Sequence, residues 1–438
     1  MKEGVGHGIE DLEHKLEDKV ESEIKYISHD QLYKNASYLM LSNIAMAVTG
    51  FLFWLIAARL YPPEDVGLAT ALISATALFV IFSTSGVNQM FIRFIPSMSS
   101  EDRGKLISTT VLFSIGISAV LSFVFILFIE FLAPKLDILR VPMYALIFIV
   151  PTVSYCIFIL FDGTFIARRK SSFVFVKNSM QGILKVLFLP FLVLAGGIGI
   201  FLSYGVSLII AAFLSLFLFL KIYSRIRIRP DIKVLRRAFA FLSANYISTI
   251  FLQLPNLLFP LIILNMTSGA DVAYFYIPWH MFFALFGFII LINSAFLMEG
   301  SYEKDIRKDE RKTIKLSFLV VIVGIVLFFI FGRSILSLFG SGYANFASLL
   351  HVLALSLLPA SINQIYLTVK NIRKEVVRFT EMNVFIYSSC LVLGTLLVPY
   401  YGVIGIGYGW LIGQTLGVVW IGLESCRHHI RKRIEGSQ

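Results

Sequence analysis

The sequence predicts an all-α polytopic membrane protein, with 12 transmembrane helices in two parallel six-helix lobes and both termini in the cytoplasm. Three observations predict this fold: long charge-free apolar runs, basic residues on alternate connections, and an internal repeat. Between Lys34 and Arg59 there are 24 residues without Asp, Glu, Lys or Arg, and residues 66–92 form another such run of 27. A helix needs about 20 apolar residues to cross a hydrocarbon layer of about 30 Å. The runs are too long for barrel strands, so helices are expected.

Composition agrees with this class. The chain is 57% hydrophobic and 15% charged, with a net charge of +11. In a soluble protein that charge would suggest nucleic acid, but cytoplasmic loops of membrane proteins carry the same excess, so no nucleic-acid partner is expected. The cysteines Cys156, Cys390 and Cys426 lack metal-ligand spacing, and neither a disulfide framework, a metal nor a cofactor is predicted. The highly charged first 34 residues argue against a cleavable signal peptide.

The predicted helices follow the apolar runs in order. They lie near residues 37–60, 66–92, 106–129, 141–166, 173–195, 198–220, 239–264, 272–298, 314–332, 346–369, 379–399 and 402–423. The N-terminal segment, the even-numbered connections and the C-terminal tail hold 32 Lys and Arg residues, whereas the odd-numbered connections hold four. This asymmetry places the former group in the cytoplasm of a plasma-membrane protein, with residues 265–271 outside.

Five regions follow from these boundaries. They are a cytoplasmic amphipathic N-terminal segment (1–34), an N-lobe (35–222), a basic cytoplasmic linker (223–238), a C-lobe (239–425) and a basic cytoplasmic tail (426–438). Within the first region, apolar residues of 9–27 recur at helical steps. Its acidic opposite face argues against anchoring on anionic lipid. We expect this helix to pack on the cytoplasmic mouth, and binding of a partner is the alternative.

The chain contains an internal repeat at an offset of about 205 residues. Asp65-Val66-Gly67 corresponds to Asp271-Val272-Ala273, Asn88 to Asn293, Asn178 to Asn383, and Gly197 to Gly402. Small residues recur every fourth position in the sixth and twelfth helices, which lets helix backbones approach closely in lipid. Two parallel six-helix lobes around a central cavity are typical of transporters, which bind substrate between the lobes and alternate access by rocking.

Motifs of common enzyme classes are absent. The sequence has no Gly-x-x-x-x-Gly-Lys-Ser/Thr loop, no His-Glu-x-x-His and no nucleophile elbow. No ATP hydrolysis through a P-loop and no enzymatic activity are predicted. A membrane-embedded sugar transferase is the enzymatic alternative.

Three polar residues form a stripe on the fifth predicted helix. Lys177, Gln181 and Lys185 recur every fourth residue and so share one face. An ionisable residue inside a membrane helix is costly and needs an aqueous cavity or a partner. Lys177 has an alternative, because it lies close enough to the cytoplasmic interface to extend its ammonium there. Lys185 lies deeper, and we expect it to face a cavity and bind an anion such as phosphate.

Other polar residues are weaker candidates for substrate binding. Arg59 and Arg93 lie at opposite ends of the first helical hairpin, where anchoring at the interface is the alternative. His280 is either a proton carrier or a core residue. Prolines at 255 and 260 are expected to kink the seventh helix around Asn256. The polar sites of the C-lobe are Gln253, Asn256, His280, Asn293 and Gln414.

Three stretches resemble a known family. The first, with the pattern A-R-x-L-G-P-E-x-x-G, is Ala58-Arg59-Leu60-Tyr61-Pro62-Pro63-Glu64-Asp65-Val66-Gly67. The second runs from Ser85-Gly86-Val87-Asn88-Gln89 to Arg93-Phe94-Ile95-Pro96, and the third is Leu397-Val398-Pro399-Tyr400-Tyr401-Gly402-Val403-Ile404-Gly405. From residue 35 onward, the chain resembles the lipid-linked oligosaccharide flippases and polysaccharide exporters of the multidrug/oligosaccharidyl-lipid/polysaccharide (MOP) superfamily.

The resemblance implies that a polyprenyl phosphate- or pyrophosphate-linked glycan moves from the cytoplasmic to the outer leaflet. It implies that basic residues contact the phosphate, and among our candidates Arg59 and Arg93 fall on motif positions. Tyr61 departs from the family pattern, which usually has glycine there. The alternatives are a cation-coupled multidrug exporter, disfavoured because residues 35–58 lack a carboxylate, and a membrane scaffold for glycan-assembly enzymes. Membrane potential is the expected driving force, with proton coupling through His280 or Asp162 as the alternative.

Overall fold

The computed structural model describes residues 31–223, 230–300 and 306–435, and regular secondary structure in these residues is entirely helical. The amphipathic helix predicted within residues 9–27 lies outside the described residues. Long helices are numbered in chain order, and shorter helical segments are named by their residues. The long helices are α1 (Gln31–Leu60), α2 (Pro63–Thr84), α3 (Ser100–Leu127), α4 (Pro142–Ala167), α5 (Ser171–Phe188), α6 (Gly196–Ile222), α7 (Ile232–Met266), α8 (Gly269–Gly300), α9 (Arg307–Ser337), α10 (Ala347–Ile372), α11 (Val376–Tyr401) and α12 (Ile404–Glu435).

Eleven helical stretches in the described part of the chain are long and apolar enough to cross a membrane. One of them, Ser171–Ile222, spans 52 residues and contains both α5 and α6. Since one crossing takes about 20 residues, this stretch has the length of two crossings. The chain is therefore a multi-pass helical membrane protein.

Two predicted helices are interrupted. The run 66–92 is divided at Gly86, whose left-handed backbone (φ 76°) ends α2 and begins a short helix, Val87–Phe94. Glycine adopts this conformation without a Cβ clash, a turn that an apolar run does not reveal. The run 173–195 is divided after Phe188, where Pro190 lies at the start of a 3-10 segment, Leu189–Ala195. Proline removes a backbone donor there.

The helices pack in two similar groups. In the first half (α1–α6), α1 packs on α5, α5 on α6, α4 on α6, α2 on α4, α2 on α3, and α3 on α4. The same six pairs recur in the second half (α7–α12) with each helix number raised by six. Between the halves, α2 packs on α7 and α8, and α3 packs on α7.

The repeat is also present in the backbone conformation. Arg169 (φ 56°) and Lys374 (φ 59°) are both left-handed, 205 positions apart, in the turns before α5 and α11. Left-handed residues other than glycine are uncommon. Gly196 (φ 55°), the first residue of α6, and Gly402 (φ 59°), two residues before α12, also have a positive φ. The backbone thus pairs Gly402 with Gly196 rather than with Gly197, which corrects the sequence alignment by one residue.

Small residues bring α12 onto α11, as the row of glycines predicts. A Cβ atom placed on Gly409 would lie 2.1 Å from the backbone nitrogen of Gly394, and one on Gly413 would lie 2.6 Å from the sulfur of Cys390. Only hydrogen atoms fit in these contacts. Close backbone approach is what small residues provide between helices in lipid, where the hydrophobic effect does not drive helix association.

Candidate functional site

A cavity of about 430 Å³ lies mainly within the first half and reaches the second. Its wall comes from α1, α2, α4, α5 and α6, with further residues from α7 and α8. This volume lies in the range of small-ligand sites, which is roughly 300–1,000 Å³. The aromatic residues of the wall are Phe53, Trp54, Tyr155, Phe158, Tyr204 and Tyr276.

Lys185 carries the only charge among the described residues of this wall. Its side chain is 8% exposed, and its Nζ atom lies 5.6 Å from the centre of the Phe53 ring. No ion pair or hydrogen bond joins it to the residues that the structure describes. Burial of an ammonium without a partner is expensive, and a cation–π contact offsets only part of the cost. A charge retained under these conditions is typical of a binding group.

Lys177 is eight residues earlier on the same face of α5, but its surroundings are different. It is fully buried, and its Nζ atom lies 2.8 Å from Asp162 Oδ1 on α4. The same atom donates a 2.9 Å hydrogen bond to Asn178 Oδ1 and lies 3.3 Å from the centre of the Phe158 ring. Lys177 is therefore paired in the interior of the protein, and its charge is neutralised behind the cavity wall.

Neutral amides complete the polar part of the cavity. Gln181 Nε2 donates to Ser207 Oγ at 3.2 Å, which fixes the amide against α6. Asn256 Oδ1 accepts from Trp279 Nε1 at 2.9 Å. Gln253 also lines the cavity from α7. These side chains offer hydrogen-bond donors and acceptors without adding charge.

Besides Lys177, three predicted site residues lie away from the cavity wall. Arg59 donates from Nε to the Leu338 carbonyl at 2.6 Å and from a terminal nitrogen to the Ser337 carbonyl at 3.2 Å, at the end of α9. Arg93 is exposed on the short helix Val87–Phe94. His280 packs behind the wall, with its ring centre 3.8 Å from that of Tyr276. The structure thus brings Lys185, Gln181 and Asn256 to one cavity and leaves the two arginines outside it.

Sequence reasoning missed the aromatic wall and the pairing of Asp162. Tyr155, Phe158 and Asp162 recur at three- and four-residue steps in α4. The spacing rule that grouped the polar residues of α5 would have placed these three on one face as well. Their meeting with Lys177 depends on the packing of α4 against α5, which spacing within one helix does not encode.

The composition of the cavity wall is suited to binding a ligand. Within the described ranges, no group of three His, Cys, Asp or Glu residues is placed to hold a metal ion. The wall joins one ammonium group, several amides and a broad aromatic surface. Aromatic rings present apolar faces with the polar edges of Tyr and Trp available for hydrogen bonds. Such a wall fits a ligand that carries both an anionic group and a polar, hydroxyl-rich part.

Comparison with solved structures shows that two membrane proteins share this fold. The structure of lipid II flippase MurJ in an inward closed conformation has a TM-score of 0.75 at 14% identity, covering 89% of this chain and 87% of that one. A multidrug resistance MATE family transporter of the MOP superfamily, in an inward-facing conformation, has a TM-score of 0.68 at 14% identity, covering 91% of this chain and 96% of that one. At this identity the likeness concerns the fold.

The family is shown by the sequence. Residues 32–298, more than half of the chain, match the profile described as polysaccharide biosynthesis protein, and the chain belongs to that family. An uncharacterized membrane protein of Methanocaldococcus jannaschii is 27% identical over 105 residues. That match spans 24% of this chain and only 21% of the relative.

Tyr61 stands where the family pattern usually has glycine, and its contacts show how the chain accommodates the larger side chain. Its hydroxyl donates to the Leu189 carbonyl at 2.6 Å, which joins the turn between α1 and α2 to the 3-10 segment after α5. Burial, with the Asp65 carboxylate nearby, raises the pKa of Tyr61 to about 12. The hydroxyl therefore remains a donor at neutral pH.

Proposed function

We propose that the protein moves a lipid-linked oligosaccharide or polysaccharide precursor from the inner to the outer leaflet of the plasma membrane by alternating access. The observation that carries the proposal is Lys185, a buried ammonium in an aromatic cavity that has no ion-pair or hydrogen-bond partner among the described residues. Phosphate at the lipid–glycan junction supplies the missing counter-charge. Gln181, Gln253 and Asn256 supply hydrogen bonds for sugar hydroxyls. The family and the fold support this assignment.

The proposed architecture is two parallel six-helix lobes with 12 crossings and cytoplasmic termini. Its support is the recurrence of the same helix pairs and left-handed turns in both halves. The turns before α5 and α11 are rich in basic residues, which favours a cytoplasmic position for both turns. The first turn carries Arg168, Arg169 and Lys170, and the second carries Arg373 and Lys374. Single-cysteine labelling in a Cys-free background tests the topology: residue 268 should react only from outside.

Contacts between the halves join the ends that this topology places outside. Besides Arg59 on the carbonyls of α9, Asn265 Nδ2 donates to the Leu132 carbonyl at 2.8 Å, and Lys135 donates to the Thr267 carbonyl. A Cβ atom on Gly269 would lie 2.8 Å from the Glu64 carbonyl oxygen. With this topology, we propose that the structure is closed at the outer side, so that outward release of substrate requires these contacts to part.

A flipping assay in proteoliposomes tests the function. The wild-type chain should expose a labelled polyprenyl-linked glycan on the opposite leaflet, Lys185→Ala should abolish this activity, and Lys185→Arg should retain part of it. Lys312→Ala, on an exposed part of α9, is a matched control that should behave as wild type.

A deletion strain distinguishes the proposed flippase from the alternative functions. A deletion strain should accumulate lipid-linked glycan on the cytoplasmic side. A normal envelope combined with drug sensitivity would instead support the cation-coupled multidrug exporter. Unimpaired flipping by Lys185→Ala would remove Lys185 from the site.

A further inference from the structure

The charge of the cavity limits the charge of its ligand. Lys185 is the one charged side chain among the described lining residues. The second lysine of the same helix face, Lys177, is neutralised by Asp162 at 2.8 Å and does not line the cavity. Gln181, between the two lysines in sequence, is neutral and engaged with Ser207. The described residues of the wall therefore present one positive charge and no negative charge to a ligand.

A phosphate linkage and a pyrophosphate linkage differ by one charge. A phosphodiester between lipid and sugar carries one negative charge, which the Lys185 ammonium can match. A pyrophosphate diester carries two, and the second would be buried against aromatic rings and neutral amides. Burial of an unpaired charge in such surroundings is strongly unfavourable. We infer that this site selects glycans joined to the lipid through a single phosphate rather than a pyrophosphate, an inference that rests on the proposed function.

The surroundings of Lys185 place an aromatic surface beside the phosphate position. Its Nζ atom is 5.6 Å from the ring centre of Phe53, which is 5.1 Å from that of Trp54. The Trp54 ring is in turn 4.7 Å from that of Tyr276. A sugar attached directly to the phosphate would meet these rings, whose faces pack on the C–H faces of a pyranose. A second phosphate would occupy that aromatic surface instead.

Two probes with the same lipid and sugar test the inference on the full chain in proteoliposomes. They are polyprenyl phosphoglucose and polyprenyl pyrophosphoglucose. We expect the phosphodiester to be bound and flipped at least about tenfold better, because one unmatched buried charge separates the two. Equal or better handling of the pyrophosphate would overturn the inference and leave the proposed function standing. Failure to flip either probe would overturn both.

A gain of charge provides a second, independent test. Gln181→Lys adds a cation one helical turn from Lys185, and Gln253→Lys adds one from α7. Either variant should shift the preference toward the pyrophosphate probe by about tenfold. Gln181→Met and Gln253→Met are the matched neutral controls, which should weaken the handling of both probes without shifting the preference between them. An unchanged preference in folded lysine variants would contradict the inference, and the wild-type comparison decides it if these variants do not fold.

Discussion

Replacement of Lys185 by methionine should remove binding without destabilising the fold. At about 4 Å and an effective dielectric constant near 20, two unit charges interact with about 4 kcal/mol. Hydrogen bonds to charged groups contribute roughly 1.5–3 kcal/mol. A loss of about 2–4 kcal/mol corresponds to a dissociation constant weakened by roughly 30- to 1,000-fold. Fluorescence of Trp54 in the cavity wall, in a background lacking the other tryptophans, provides the binding assay with polyprenyl phosphoglucose.

The stability of Lys185→Met should not fall, since Lys185 has no described partner that its removal would leave unpaired. The melting temperature of Lys185→Met should equal or exceed that of wild type. Lys177→Met is the matched control on the same helix face. It leaves the Asp162 carboxylate without its ammonium, and should cost about 3–5 kcal/mol of unfolding free energy, largely restored by a second change, Asp162→Asn. Wild-type affinity in Lys185→Met, or a large fall in its melting temperature, would refute this reasoning.

Three further predictions concern helix packing, the outer contact and the driving force. Gly409→Ala should lower the free energy of unfolding by about 1–3 kcal/mol, measured by thermal unfolding, because its Cβ atom overlaps α11. Gly422→Ala is the control, since open space surrounds Gly422. Equal effects of the two variants would contradict the packing argument. Arg59→Ala should loosen the contact between Arg59 and the end of α9. A cysteine introduced by Ile73→Cys in the cavity should then react several-fold faster with a membrane-impermeant reagent added from outside. An unchanged rate would show that Arg59 does not keep the outer side closed. Flipping should proceed without ATP and should accelerate when an inside-negative potential is imposed. The reason is that each negative charge moved outward gains about 2.3 kcal/mol per 100 mV. Flipping that depends on a pH gradient alone would contradict this.

The sequence predicted those features that follow from spacing along one helix. Lys185 was placed in a cavity from its depth and the cost of an unpaired charge, and the structure puts it on a cavity wall. Glycine spacing predicted the close approach of α12. The partner of Lys177 was not predictable in the same way, since Asp162 reaches it only through packing between helices. The motif assigned Arg59 to substrate, yet its guanidinium binds carbonyls 278 and 279 positions away in the chain.

Leaflet exchange of a labelled glycolipid tests the central claim most directly. Polyprenyl phosphoglucose is incorporated in proteoliposomes, and an impermeant oxidant reports the sugar exposed on the outer leaflet over time. The account predicts exchange with the wild-type chain and loss of exchange with Lys185→Met at equal protein content. Exchange no faster than in protein-free liposomes, or equal exchange by both chains, would contradict it.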